Sequence, residues 1–171
     1  RREKKFTVTV RNQPVAPNSL WIVDLAGRQE RRLTSDAAYS VESVTLSADG
    51  KWAGVRGIKN DRYARNITEQ GINGDLYLVN VETGQAERLT SNVDIGEGSL
   101  SFAPDGRTIA FSAPNDFKYF RDDRVFVRGL ANVGGAWREI GDGYDGDVTI
   151  GWWSDDSRTI YFGDGVRATN Q

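Results

Sequence analysis

The chain has 171 residues, of which 38% are hydrophobic and 11% aromatic, enough to form the core of one ordinary domain. Its 22 basic and 24 acidic residues give a formal net charge of −2, which provides no field strong enough to indicate nucleic acid or an anionic membrane, so neither is predicted as a partner. The absence of cysteine and histidine excludes disulfides, cysteine-based zinc sites and any Ser-His-Asp or Cys-His catalytic arrangement within these residues.

The first predicted elements are strands. Residues 6–10 alternate apolar and polar side chains, which predicts a tail strand, and residues 20–25 predict a second strand. A turn through Gly27 leads to a strand that ends at Leu33. Residues 1–35 are therefore interpreted as the end of one antiparallel sheet.

The next segment predicts a complete four-stranded meander over residues 41–91. An inner strand at 43–48 and a second strand at 52–56 are joined by a turn with Asp49-Gly50, and Asp-Gly tolerates the positive φ of a tight hairpin. A third strand at 76–81 and a fourth strand ending at Leu89 complete this sheet.

Residues 97–141 predict a second meander, and residues 147–171 predict the start of a third. The inner strands lie at 99–103 and 148–153, and the second strands at 108–112 and 159–162. The second meander adds a third strand at 125–130 and a fourth strand ending at Ile140.

A self-repeat of 56 residues unites these elements. Leu20-Trp21-Ile22 reappears as Leu76-Tyr77-Leu78, and Arg32-Leu33-Thr34-Ser35 reappears as Arg88-Leu89-Thr90-Ser91. Repeats of short strands with loop insertions are typical of four-stranded blades arranged around an axis. The sequence therefore predicts an all-β fold, a partial β-propeller of about three blade equivalents. Its unpaired strand edges predict self-association, or cover from a second chain or further blades.

Loop length distinguishes the two faces that such blades would have. The hairpin turns are short, whereas residues 57–74 and 113–123 form long insertions on the opposite face, where binding residues are expected. Arginine binds carboxylates and tyrosine stacks or donates a hydrogen bond, so these loops could contact a peptide or a partner domain. The alternative is that their charges are solvated and paired internally. The candidate contact residues are Arg62, Arg65, Tyr119 and Arg121.

The loop at residues 141–147 carries three aspartates among glycines, a composition that suits calcium. Its spacing places Tyr144 where an EF-hand loop has a ligand, so a structural turn between sheets is the preferred interpretation. No metal or cofactor site is predicted, and no stretch approaches the ~18 apolar residues of a membrane helix.

The run from Leu100 to Ser112, with Asp75-Leu76-Tyr77-Leu78-Val79-Asn80 before it, resembles the WD40-like propeller repeat. That repeat occurs in the periplasmic propeller of the Tol system and in serine peptidases of the prolyl oligopeptidase family. The large insertions are more similar to the peptidase propellers of the dipeptidyl and acylaminoacyl peptidase type. The resemblance covers roughly residues 6–171.

The resemblance implies a non-catalytic propeller that gates or positions peptides for a C-terminal α/β-hydrolase domain outside these residues. No catalytic motif of that domain has a counterpart here. The lack of an initial methionine also suggests a piece of a longer chain. The resemblance implies a bacterial protein, whose location could be periplasmic, secreted or cytoplasmic. The alternative is a protein-binding propeller similar to the Tol-system protein. A propeller enzyme with its own channel site is disfavoured, because the chain has no histidine.

Overall fold

The computed structural model describes residues 17–34, 39–59, 74–91, 95–115, 121–144 and 146–165. These residues form twelve strands in four antiparallel sheets. The first hairpin, β1–β2, and the last hairpin, β11–β12, flank two four-stranded sheets, which we call the first full sheet (β3–β6) and the second full sheet (β7–β10). The strands are β1 Trp21–Val23, β2 Glu30–Arg32, β3 Tyr39–Leu46, β4 Trp52–Lys59, β5 Gly74–Asn80, β6 Ala86–Arg88, β7 Ser101–Phe102, β8 Thr108–Pro114, β9 Asp123–Gly129, β10 Arg138–Ile140, β11 Asp147–Trp153 and β12 Ile160–Gly165.

The predicted meanders are confirmed, because each full sheet pairs its strands in chain order. The sheets do not close into a ring within the described residues, as a partial propeller requires. The predicted tail strand at residues 6–10 lies outside the part of the chain that the structure describes.

The inner strands are less regular than the alternation predicts. The β7 strand is limited to Ser101–Phe102, although the amide of Gly98 still donates to the carbonyl of Ser112 at 2.7 Å. Register shifts also interrupt the β3–β4 pairing and the β11–β12 pairing. Such irregularities bend a strand and increase its local twist.

Three hydrophobic cores fill the spaces between consecutive sheets. Leu33 of the first hairpin packs with Val55 and Val79 of the first full sheet. Leu76 and Phe111 belong to the core between the two full sheets, where Phe111 is fully buried. The last hairpin packs on the second full sheet in a third core. That core contains Ala110, Val125, Val127 and Val148, with Ile140, Ile150, Trp153, Ile160 and Phe162 against it.

Candidate functional surface

The sheets present two faces with different loops. The hairpin turns and the turns between third and fourth strands share one face, which we call the tight-turn face. There the amide of Val81 donates to the carbonyl of Lys51 at 2.9 Å, and the amide of Leu130 donates to that of Arg107 at 2.7 Å. The opposite face, which we call the long-loop face, holds the connections between second and third strands and between consecutive sheets. For the loops that the structure describes, this agrees with the sequence prediction.

Local hydrogen bonds build the tight-turn face. The Oδ1 atom of Asp49 accepts bonds from the Ser47 hydroxyl at 2.7 Å and the Lys51 amide at 3.1 Å, and these bonds lower the pKa of Asp49. Gly50 and Gly106 adopt φ of 68° and 67°, which confirms the predicted Asp-Gly turns. Ser157 takes the corresponding place in the last hairpin with φ of 61°.

Arg56 ties the first full sheet to the loop that enters the second. Its Nε donates to the Glu97 carbonyl at 2.8 Å, and its guanidinium forms an ion pair with Glu42. Burial lowers the pKa of Arg56, while the negative charge of Glu97 opposes that shift. Arg56 lies within β4, directly before the predicted cationic insertion at residues 57–74, and therefore has a structural role.

A second ion pair closes the outer edge of the first full sheet. The Nη2 of Arg88 lies 2.7 Å from the Oδ2 of Asp75, whose residue is only 2% exposed. The Nε of Arg88 donates to the Thr90 carbonyl at 2.9 Å, and the Thr90 hydroxyl accepts from the Leu76 amide. These contacts hold the fourth strand in place and occupy the guanidinium of Arg88.

Arg124 holds the loop that joins the second full sheet to the last hairpin. Its Nη1 donates to the Gly146 carbonyl at 2.8 Å, and its Nη2 donates to the Tyr144 carbonyl at 2.9 Å. The residue is 7% exposed. These bonds give the backbone at Tyr144 and Gly146 a structural role, while Asp145 of the predicted turn at residues 141–147 lies outside the described residues.

Asp123 lies beside this loop. Its amide donates to the Oδ1 of Asp147 at 2.9 Å. Burial raises the pKa of Asp123, and the nearby carboxylates of Asp147 and Asp122 raise it further. Asp147 thus serves as a backbone acceptor, a structural role for one of the three aspartates in the loop.

The predicted contact residues are only partly described. Arg62, Arg65 and Tyr119 lie outside the described residues. Arg121 lies on the long-loop face and is exposed. The amide of Asn115 donates to the Asp122 carbonyl at 2.9 Å and closes the base of its loop. Among described residues, Arg121 is a surface cation that no hydrogen bond or ion pair engages.

The sequence interpretation assigned both Trp152 and Trp153 to packing between sheets. It missed the stacked pair that Trp152 forms with Tyr161. Trp153 does pack on the second full sheet, and its Nε1 donates to the Ser101 hydroxyl at 2.9 Å. Trp152 instead stacks on Tyr161 at 5.3 Å between ring centroids and is 65% exposed. The alternation of side chains predicts on which side of the strand Trp152 lies. It does not predict whether another sheet covers that side.

The tight-turn face also has an open groove of about 510 Å³ between the two full sheets. Its lining among the described residues is mostly apolar, which suits packing contacts. The lining residues are Trp52, Gly106, Arg107, Leu130, Ala131 and Val133.

Comparisons with known proteins agree on the fold. The chain is 27% identical over 123 residues to dipeptidyl-peptidase 5 of Porphyromonas gingivalis, which covers 71% of this chain and 17% of that protein. No protein-family model matches the chain. Among the described residues, no helix is long and apolar enough to cross a membrane.

Two solved structures give the same result. The tricorn protease aligns with a TM-score of 0.62 and 14% identity, covering 84% of this chain and 13% of that one. TolB from Acinetobacter baumannii aligns with a TM-score of 0.57 and 17% identity, covering 89% of this chain and 33% of that one. Each match spans about a third or less of the related protein. The comparisons therefore establish the fold of this chain and not its activity. The chain is a partial β-propeller.

Proposed function

We propose that this chain is the non-catalytic propeller portion of a prolyl oligopeptidase-like serine peptidase, in which it gates or positions peptides for an α/β-hydrolase domain. The similarity to dipeptidyl-peptidase 5 is the observation that carries the proposal, since it extends over 71% of the chain. The chain itself lacks histidine, so the catalytic base comes from elsewhere.

The engagement of the cations on the long-loop face supports a specific contact. Arg56, Arg88 and Arg124 are held by carboxylates and carbonyls of their own sheets. Arg121 is exposed on the same face and can form charge-assisted bonds to a peptide carboxylate. We therefore keep Arg121 as the leading peptide contact, with Arg62, Arg65 and Tyr119 in the same proposed surface.

The first test is the reading frame that contains this chain. The proposal requires a downstream Gly-x-Ser-x-Gly elbow followed by an aspartate or glutamate and then a histidine. The 171-residue chain alone should not hydrolyse chromogenic dipeptide or acyl-amino-acid substrates. Turnover by the chain alone that a serine-directed inhibitor abolishes would contradict this assignment.

Kinetics of the full-length protein would test the contact residues. Arg121→Ala and Arg62→Ala should each raise KM or relax selection by peptide length, because loss of a charge-assisted bond costs roughly 1.5 to 3 kcal/mol. The melting temperature should stay the same. Unchanged kinetics with both short and long peptides would remove these residues from the proposal.

A second candidate function is a protein-binding propeller without a hydrolase partner. The structural similarity to TolB over 89% of the chain favours it. A reading frame that ends without the elbow, together with unchanged peptide kinetics, would select this candidate over the peptidase.

A further inference from the structure

One wall of the groove on the tight-turn face departs from the repeat. The residue that follows the hairpin turn is a threonine in the second full sheet and in the last hairpin, at Thr108 and Thr159, whereas the first full sheet has Trp52 there. Trp52 lines the groove and packs, partly buried, against the core between the two full sheets. The repeat alone would therefore place a small hydroxyl side chain where this wall has an indole.

The opposite wall departs from the repeat through a longer turn. The residues that pair at equivalent positions of the third and fourth strands are 11 positions apart in the first full sheet, Tyr77 with Arg88, and 13 apart in the second, Phe126 with Glu139. The turn between β9 and β10 is therefore two residues longer. It carries Val133, which is 68% exposed and lines the groove.

Contacts with the first full sheet hold this longer turn in place. The Oε1 atom of Glu87 accepts from the Gly134 amide at 3.0 Å and lies 3.1 Å from the Nη2 of Arg128. The buried Arg128 guanidinium lies 4.8 Å from the centre of the Trp137 ring, a cation–π contact. Specific contacts thus build this wall, and the groove is present without a bound partner.

The walls of the groove do not depend on residues near either end of the chain. All its lining residues belong to the two full sheets, and each of these sheets packs against a further sheet on its other side. Additional blades beyond the first and last hairpins would extend this row of sheets and leave the groove walls unchanged. The exposure of Val133 arises from its own turn.

One cation in the groove lacks a partner. Arg107 is exposed and lines the groove, and among the described residues its guanidinium has no hydrogen bond or ion pair. At the equivalent position of the first full sheet, the Nζ of Lys51 lies 3.5 Å from Asp49. Asp105 instead accepts the backbone amide of Arg107 at 2.9 Å. An occupant that complements this groove therefore combines an apolar side chain with a carboxylate.

We propose that the groove binds a segment of another protein in which a large apolar side chain lies next to an aspartate or glutamate. The apolar side chain packs between Trp52 and Val133, and the carboxylate accepts from Arg107. Sites for small molecules usually enclose most of the ligand, whereas this groove is open along the surface and suits a short extended segment. Because it lies on the face opposite the proposed peptide-contact surface, this inference does not depend on the peptidase proposal.

Peptide binding to the full-length protein that contains this chain tests the proposal. The probes are two capped fluorescent hexapeptides, Gly-Ser-Phe-Glu-Ser-Gly and Gly-Ser-Glu-Phe-Ser-Gly, and fluorescence anisotropy measures their affinity. At least one should bind with a Kd below about 1 mM, a weak but measurable affinity. Replacement of its phenylalanine by serine should abolish binding. If neither probe binds, as expected where another part of the protein covers the groove, the proposal is wrong.

Arginine variants test the charged contact. Arg107→Gln should weaken binding of the better probe about tenfold, because a charge-assisted hydrogen bond is lost. With glutamine in place of the probe's glutamate, the same substitution should change the affinity little, which isolates the pair. Arg158→Gln is the matched control, because Arg158 holds the equivalent turn position in the last hairpin and does not line the groove. Equal losses from the two variants would overturn the proposal.

Variants of the apolar walls complete the test. Trp52→Thr restores the residue of the other repeats and should weaken probe binding at least about tenfold. Because Trp52 also packs against the core, Val133→Ser serves as a second variant that leaves the core intact, with an expected loss of about threefold. Unchanged affinity in both variants contradicts the proposal. So does a loss of oligomers in sedimentation of either variant, since a second copy would then occupy the groove.

Discussion

The tight-turn face and the long-loop face are stabilised in different ways. On the tight-turn face, the same local device recurs in successive sheets, an aspartate that accepts bonds from neighbouring residues, as Asp49 and Asp156 do. On the long-loop face, single cations such as the partly buried Arg56 and the buried Arg124 hold loops that the repeat does not specify. The repeat therefore encodes one face, while the other depends on individual tertiary contacts.

The largest expected effect is the loss of a cation from the long-loop face. Arg124→Ala should lower the free energy of unfolding by about 3 kcal/mol, because it leaves two loop carbonyls without their donor and opens a cavity. Arg124→Lys should recover only part of this, since an ammonium cannot reproduce the fork of a guanidinium. Chemical denaturation measures both, and exposed Arg121→Ala is the control. A loss below about 1 kcal/mol for Arg124→Ala would mean that the loop holds without it.

The next effect concerns a turn on the tight-turn face. Gly106→Val should cost about 2 kcal/mol, because Gly106 has φ of 67° and a β-branched residue is strained there. No atom lies within 4 Å of the added Cβ, so the cost comes from the backbone. Thermal melts would measure it beside the double variant Arg62→Ala with Arg65→Ala, which we expect to change little. Equal losses would mean that the long loop contributes as much stability as the turn.

A smaller effect is expected where the repeat replaces glycine by serine. Ser157 has φ of 61°, and its hydroxyl accepts from the Asp105 amide at 2.9 Å, which joins neighbouring turns. Ser157→Ala should be about 1 kcal/mol less stable than Ser157→Gly, because glycine adopts positive φ without strain. Urea denaturation of the two variants gives the difference. If alanine proves as stable as glycine, strain at this position is not significant.

The smallest effect is dependent on pH. The pKa of Asp123 is raised in the folded chain, so folding favours its protonated form, and its contribution to stability falls as pH rises from about 3.8 through the folded pKa. Asp123→Asn should therefore stabilise the chain at pH 7 by roughly 0.5 kcal/mol. The gain should vanish below about pH 3.8. Denaturation at both values measures it, and an equal gain at both would show that charge is not the cause.

The strands and tight turns could be predicted from the sequence because their causes are local. Period-2 alternation marks a strand, and Asp105-Gly106 supplies a turn whatever surrounds it. The order of strands within each full sheet followed from the 56-residue repeat. The assignment of the candidate site was weaker, since the same cationic loops fit both a binding surface and internal pairing.

Tertiary structure decided which charged and aromatic side chains remain exposed for contact with another molecule. Arg56 and Arg121 look alike in the sequence, yet only the first is held by a neighbouring loop, through the carbonyl of Glu97. Trp152 and Trp153 are adjacent and chemically identical, but a sheet covers only Trp153. The local sequence determines where a strand forms and to which side each of its side chains points. Whether another element covers those side chains depends on residues far away in the chain, because propeller sheets are covered by their neighbours in space.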